Sequence, residues 1–136
     1  YGTVIVPKAV YDEVVIQGAS QPAADEVGSA SWIEVRQVND HRLVALLSAE
    51  LDEGEAEAIA LAAELNAGLL LMDERKGRIV AARLGIRFIG LLGILIEAKQ
   101  RDIIPLVKPC VDSLISQAGF WIGKDLYGQV LQAAGE

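Results

Sequence analysis

LDEGEAEAIALAAELNAGLLLMDERKGR, residues Leu51–Arg78, decides how the whole chain is read. Its first half has helical spacing. At about 100° per residue, Glu55 falls on the stripe of Ala58, Ile59, Ala62 and Leu65, while Glu53, Glu57 and Glu64 gather on the opposite, solvated stripe. Three glutamates obey the amphipathic pattern and one breaks it. The second half, AGLLLM followed by Asp73, is a short unbroken apolar run. Such a run reads as a strand buried on both faces of a parallel sheet. Ligands of open α/β sheets bind just beyond the carboxyl ends of the strands, and Asp73 stands at such an end.

A carboxylate at a strand exit and another at the inward start of the preceding helix can lie close together. Two hard oxygen donors without a basic partner suit Mg²⁺ or Mn²⁺. Structural readings of the same residues stay open beside this one. Asp52 is a good N-cap, more a cap than a ligand, and Glu55 three residues later can close a capping box with it. Asp73 can cap a helix beginning at Arg75. Arg75 and Arg78 can be plain ion-pair partners of Asp73 and Glu74, which would supply the counter-charge internally.

Outward from this stretch, strands and helices alternate. Thr3–Val6 is a β-branched strand, and Pro7 opens a helix to about Ile16, at a position where its missing N–H costs nothing. Gly18–Ser31 is small, polar and unpatterned and reads as a mobile loop. Trp32–Val35 is a second strand and Leu43–Leu47 a short helix. The Asp52-capped helix ends near Asn66, strand Gly68–Met72 follows, and helix Arg75–Leu84 is closed by Gly85. Ile86–Ile89 is another buried strand and Gly93–Arg101 another helix. Two more helices, Pro109–Ala118 and Lys124–Ala134, complete the chain. The alternation means an α/β domain with a mostly parallel sheet and right-handed crossovers.

At 136 residues the chain is long enough for one domain, 1–136, with a real core. Hydrophobic residues make up 52% of it, yet no apolar stretch approaches the roughly 18 residues of a membrane span. No signal peptide is visible. The single Cys110 excludes an internal disulfide, fits a reducing cytoplasm and reads as a small core residue. A net charge of −7 argues against a protein held to nucleic acid by bulk electrostatics. The charge is uneven, however. Residues 1–64 carry twelve acids against three bases, and residues 65–136 seven acids against nine bases. A polyanion would meet the second half, where Arg75, Lys76 and Arg78 sit beside Asp73. His41, in the polar turn NDHR, has no catalytic reading, and Trp32, Phe120 and Trp121 read as core or interface.

The segments LDEGEAEAIALA, LLLMDERKGRIVAARLG, FIGLLGILIEAKQRDIIP and GFWIGKDLYGQVLQAAGE resemble a prokaryotic PIN-like family of unknown function, related to toxin nucleases of the VapC type. The resemblance covers almost the whole chain. It implies a three-layer α/β/α sandwich with sheet order 3-2-1-4-5, and a Mg²⁺- or Mn²⁺-dependent ribonuclease built on three or four clustered acids. Carried over by position, Glu55 matches the helix glutamate and Asp73 the aspartate after the fourth strand. In that reading both are catalytic and metal-binding, Asp52 is a weaker metal candidate, and Arg75, Lys76 and Arg78 steady RNA. The resemblance further implies a homodimer, with Leu126, Val130, Leu131 and Ile94–Ile96 as apolar surface, and an antitoxin partner if the protein is a toxin.

Two departures from the family pattern bear on this. The family's first catalytic aspartate ends an N-terminal central strand, whereas this chain opens on YGTVIV, where the second strand would be. The expectation is a further N-terminal strand and helix, or another chain, to fill the middle of the sheet. Second, Gly90-Leu91-Leu92-Gly93 stands where the family often has Thr after the glycine, and the fourth acid has no clear match. These departures keep open a second reading, a non-catalytic PIN-like module that binds a partner protein or RNA.

Overall fold

Val4, Ile5 and Val6 favour extended backbone because branching at Cβ suits a pleated surface. They form β1 (Val4–Pro7), which runs parallel to β2 (Ile33–Arg36) in the register Val4↔Ile33 to Pro7↔Arg36. A computed structural model describes every residue from Tyr1 to Glu136, in the order β1, α1 (Lys8–Tyr11), α2 (Pro22–Ser29), β2, α3 (His41–Leu47), α4 (Glu53–Glu64), β3 (Leu70–Leu71), α5 (Arg75–Arg83), β4 (Phe88–Ile89), α6 (Leu91–Gln100), α7 (Lys108–Ala118) and α8 (Lys124–Ala133). The mixed α/β expectation holds.

The chain divides into two compact units, Tyr1–Phe88 and Ile89–Glu136. The core of the first is α4. Ala56, Ile59, Ala60, Leu61 and Ala62 are buried there among Val38, Leu47, Leu51, Leu70, Met72, Val80 and Ala81. Small alanines let neighbouring elements approach closely on several sides, and α4 touches α1, α3, α5, β1 and β3. Asn66, in the left-handed region at φ 49°, turns the chain from α4 towards β3. The second unit is helical, with Val107, Val111 and Val130 as its core and Leu92, Leu95, Ile96 and Tyr127 packed around them. Gly119 ends α7 at φ 65°, a backbone conformation that glycine adopts without strain.

Several expectations fail, each for a physical reason. Gly18–Ser31 is not a loop. Pro22 starts helix α2 at a first-turn position, and Ala24 is buried. The helix expected from Pro7 to about Ile16 is present as α1, but it continues as a π-helical segment, Asp12–Gln17. Strands β3 and β4 are only two residues long, and they are not buried on both faces: Leu71 is 44% exposed and Phe88 37%. The sheet comes as two separate pairs, β1–β2 and β3–β4. Cys110 is half-buried rather than core, with its thiol directed to the Leu106 carbonyl. Trp32 and Trp121 are exposed. Val130, assigned to an apolar surface, belongs to the core of the second unit.

Candidate functional site at the carboxyl edge of the strands

Connectivity sets the site. Helix α4 has 12 residues and is about 18 Å long. The chain then reverses at Asn66 and runs back through Gly68–Met72, and six extended residues cover about 20 Å. Asp73 therefore emerges at the end where α4 begins. The exit of β1 lies at that end too, because the Ala9 N–H, two residues beyond β1, donates to Glu57 Oε2 at 2.8 Å. Asp52, Glu53, Glu55, Glu57 and Asp73 thus share the carboxyl edge of the strands. Glu13 joins them. A Cβ placed on Gly54 would lie 3.6 Å from both Asp52 Oδ1 and Glu13 Oε2, and 3.2 Å from the Val10 side chain.

Each of the two carboxylates singled out in the sequence already has a partner. Asp52 caps α4: its Oδ1 accepts from the Glu55 N–H at 2.8 Å, and the Asp52 N–H donates to Glu55 Oε2 at 3.2 Å. This reciprocal pair is the capping box, present in full. Asp73 Oδ1 accepts from Arg78 Nη2 at 3.1 Å, and Arg78 Nε also donates to the Met72 carbonyl at 2.9 Å. Arg78 therefore clasps the turn between β3 and α5. The N-cap of α5 is Glu74, not Asp73, and it makes no side-chain capping bond. Arg75 and Lys76 occupy the first turn of α5 and are exposed.

Of the glutamates assigned to the solvated stripe of α4, Glu53 and Glu64 are exposed, and Glu57 is drawn onto backbone instead. Glu57 is half-buried on the Ala9 N–H. Glu64 accepts from the Asn39 N–H at 3.0 Å and from the Asn39 side-chain amide, and these bonds lower its pKa, the Asn39 backbone bond most. The helical stripe misplaced Glu57 because it supposes one covered face, whereas α4 is packed on several. Glu13 and Glu57 are acids near the start of α4 that sequence reasoning did not single out.

The whole chain, residues 1–136, matches the family model described as PIN domain. The chain belongs to the PIN-domain family. A nuclease-type fold and a mixed α/β architecture of eight helices and short strands follow from that membership. No curated protein and no solved structure is detectably similar to the chain. No helix is long and apolar enough to cross a membrane.

PIN domains generally use divalent metal ions, which calls for a test of the donors on this edge. In kind they fit: carboxylate oxygens suit a hard cation. In number they do not yet form a shell, for no group of three or more His, Cys, Asp or Glu side chains is arranged to hold a metal. Neither Glu55 nor Asp73 belongs to such a group.

Proposed function

We propose that this PIN domain is a metal-dependent ribonuclease, with Glu55 and Asp73 as the carboxylates that hold Mg²⁺ or Mn²⁺ and Asp52 orienting Glu55. Such a cation, when bound, lowers the pKa of its water and offsets charge building on the phosphoryl oxygens. The remaining work falls to the chain. Asp52 positions Glu55 through the capping box, so that Glu55 keeps Oε1 for a ligand while Oε2 stays on the backbone. Arg78 holds the β3–α5 turn, and with it Asp73, in place.

The observation that carries the reading is the start of α5. A helix N-terminus already has the positive end of the macrodipole, and cations there are unfavourable. Arg75 and Lys76 nevertheless sit in the first turn, next to Asp73, without an acid among them. A polyanion removes that conflict, because exposed N–H groups and cations then face phosphate together.

The test is Mn²⁺-dependent cleavage of single-stranded RNA by the wild-type protein, Glu55→Gln and Asp73→Asn. Gln at this position still closes a capping box, so folding is retained while the charge is lost. Cleavage that survives in both variants removes these residues from the chemistry.

A second reading is a non-catalytic module that binds RNA or a partner protein. The internal partners of Glu55 and Asp73 favour it. It predicts RNA binding without cleavage, weakened by Arg75→Ala and Lys76→Ala.

A further inference from the structure

Arg78 holds two oxygens of different standing. Its Nε donates to the Met72 carbonyl at 2.9 Å in a half-buried place, and its Nη2 donates to Asp73 Oδ1 at 3.1 Å in an exposed one. The two acceptors are adjacent in the chain just after β3, and the donor returns to them from one turn into α5. The inner bond is partly shielded from water and fixes the stem of the guanidinium. The outer bond joins side chains 39% and 50% exposed, and an ion pair so open to water is held weakly. The guanidinium therefore has one lasting anchor and one exchangeable end.

That end stands on an oxygen that a divalent cation would use. Mg²⁺ lies about 2.1 Å from a carboxylate oxygen, so an ion on Oδ1 would be no more than about 5 Å from Nη2. At that separation a double and a single positive charge repel, and no group of three acids is arranged to hold the cation against the repulsion. Arg75 stands three residues before Arg78, beside it on the helix surface, with exposed Lys76 next in the chain. A phosphodiester met by Arg75 and Lys76 offers Nη2 another oxygen, in the same charge-assisted kind of bond.

We infer that Arg78 gates Asp73: its guanidinium keeps divalent cations off the carboxylate in the resting protein, and RNA phosphate opens Asp73 to them by drawing Nη2 away. The inference rests on the nuclease reading of Asp73 and adds the regulation of that same carboxylate. RNA and cation then favour one another's binding, because one turn of one side chain serves both. Without RNA the edge holds little cation, which keeps it quiet until a substrate is present. Arg78 acts through Asp73 and is a positioning residue. Its Nε bond to the Met72 carbonyl keeps the turn between β3 and α5 closed in both states.

The experiment is a Mg²⁺ titration read by NMR at the Asp73 carboxyl carbon and at the Arg78 Nε–H. It is run with and without a short single-stranded oligodeoxynucleotide, on the wild-type protein, Arg78→Gln and Arg78→Lys. In the wild type the two signals should move with one midpoint. The oligonucleotide should lower that midpoint at least about fivefold, the low end of coupling between two sites. Arg78→Gln removes the charge and should bind Mg²⁺ at least about fivefold more tightly than the wild type, with no help from the oligonucleotide. Arg78→Lys keeps the charge and should stay near the wild type. Where Arg78→Gln does not fold, the two wild-type titrations decide alone. An Asp73 response that ignores the oligonucleotide, leaves Arg78 unmoved or is no tighter in Arg78→Gln overturns the gate and leaves the metal reading intact. An Asp73 carbon silent to Mg²⁺ throughout overturns both.

Discussion

Helices α4 and α5 begin on the same edge and are built by opposite rules. α4 starts as local chemistry prefers, with Asp52 as cap, Glu55 closing the box and acids in the first turn. α5 starts against those preferences, with no side-chain cap and with Arg75 and Lys76 where a negative charge would be stabilising. The contrast teaches where stability and function part. A helix start that satisfies every orphan N–H contributes to the fold. One that leaves cations at the positive end of its dipole is the start on which the proposed contact with a polyanion rests.

The largest expected effect separates the two starts by activity. Asp73→Asn and Glu55→Gln should each lower Mn²⁺-dependent RNA cleavage at least about 100-fold, as losing a metal-holding group does more than losing the residues behind it. Cleavage rates at saturating RNA check this. If Glu55→Gln is inert while Asp73→Asn is not, α4 is structural and the site lies on the α5 side.

Next comes a difference in stability. Asp52→Ala should cost about 1 kcal/mol, the usual value of an N-cap. Asp73→Asn should change stability by less than about 0.5 kcal/mol, since an ion pair with side chains 50% and 39% exposed is screened by water. Urea titrations of both variants measure the gap. Equal losses would mean that Asp73 is as structural as Asp52.

A smaller effect has the opposite sign. Arg75→Glu and Lys76→Glu should each stabilise the protein by about 0.3–1 kcal/mol through the helix dipole. They should also weaken RNA binding and flatten its salt dependence. Thermal melts and filter binding at two salt concentrations give both readings. Destabilisation by these changes would mean that the basic start of α5 is held by contacts of its own.

The smallest expected effect concerns the far end of α4. Glu64 has a lowered pKa, chiefly through the Asn39 backbone N–H. A carboxylate held below its unfolded value contributes stability that is fully present above about pH 5. That contribution disappears as pH falls below the ordinary glutamate range near 4.3. Protection factors at Asn39 and Asp40, exchange rates corrected for the intrinsic pH dependence, should therefore fall as pH drops below the ordinary glutamate range. Glu64→Gln should remove most of the change.

The local features were legible in sequence. The capping box of Asp52 and Glu55 spans three residues, and the closure of α5 by Gly85 is adjacent to it. The alternation of strands and helices was read correctly for the same reason. Contacts across long sequence distances were not legible. Glu57 meets Ala9 across 48 residues and Glu64 meets Asn39 across 25, and neither has a local signature. Helix α2 was hidden because its one start signal, Pro22, lies in small polar residues without apolar period. Leu71 was read as buried because an apolar run does not say which of its neighbours are present. Of the candidate site, the two carboxylates were named from the sequence, whereas the Asp52 backbone as partner of Glu55 and Arg78 as partner of Asp73 are set by the fold.

Gly77 sits in α5 where any Cβ would meet the sulfur of Met72, the only methionine of the chain. That side chain is buried directly before Asp73. Carbon-13 labelling of its methyl group would thus yield a single NMR signal from beneath the Asp73 turn. Cations or oligonucleotides arriving above it could be followed by titration, with no assignment of the remaining spectrum.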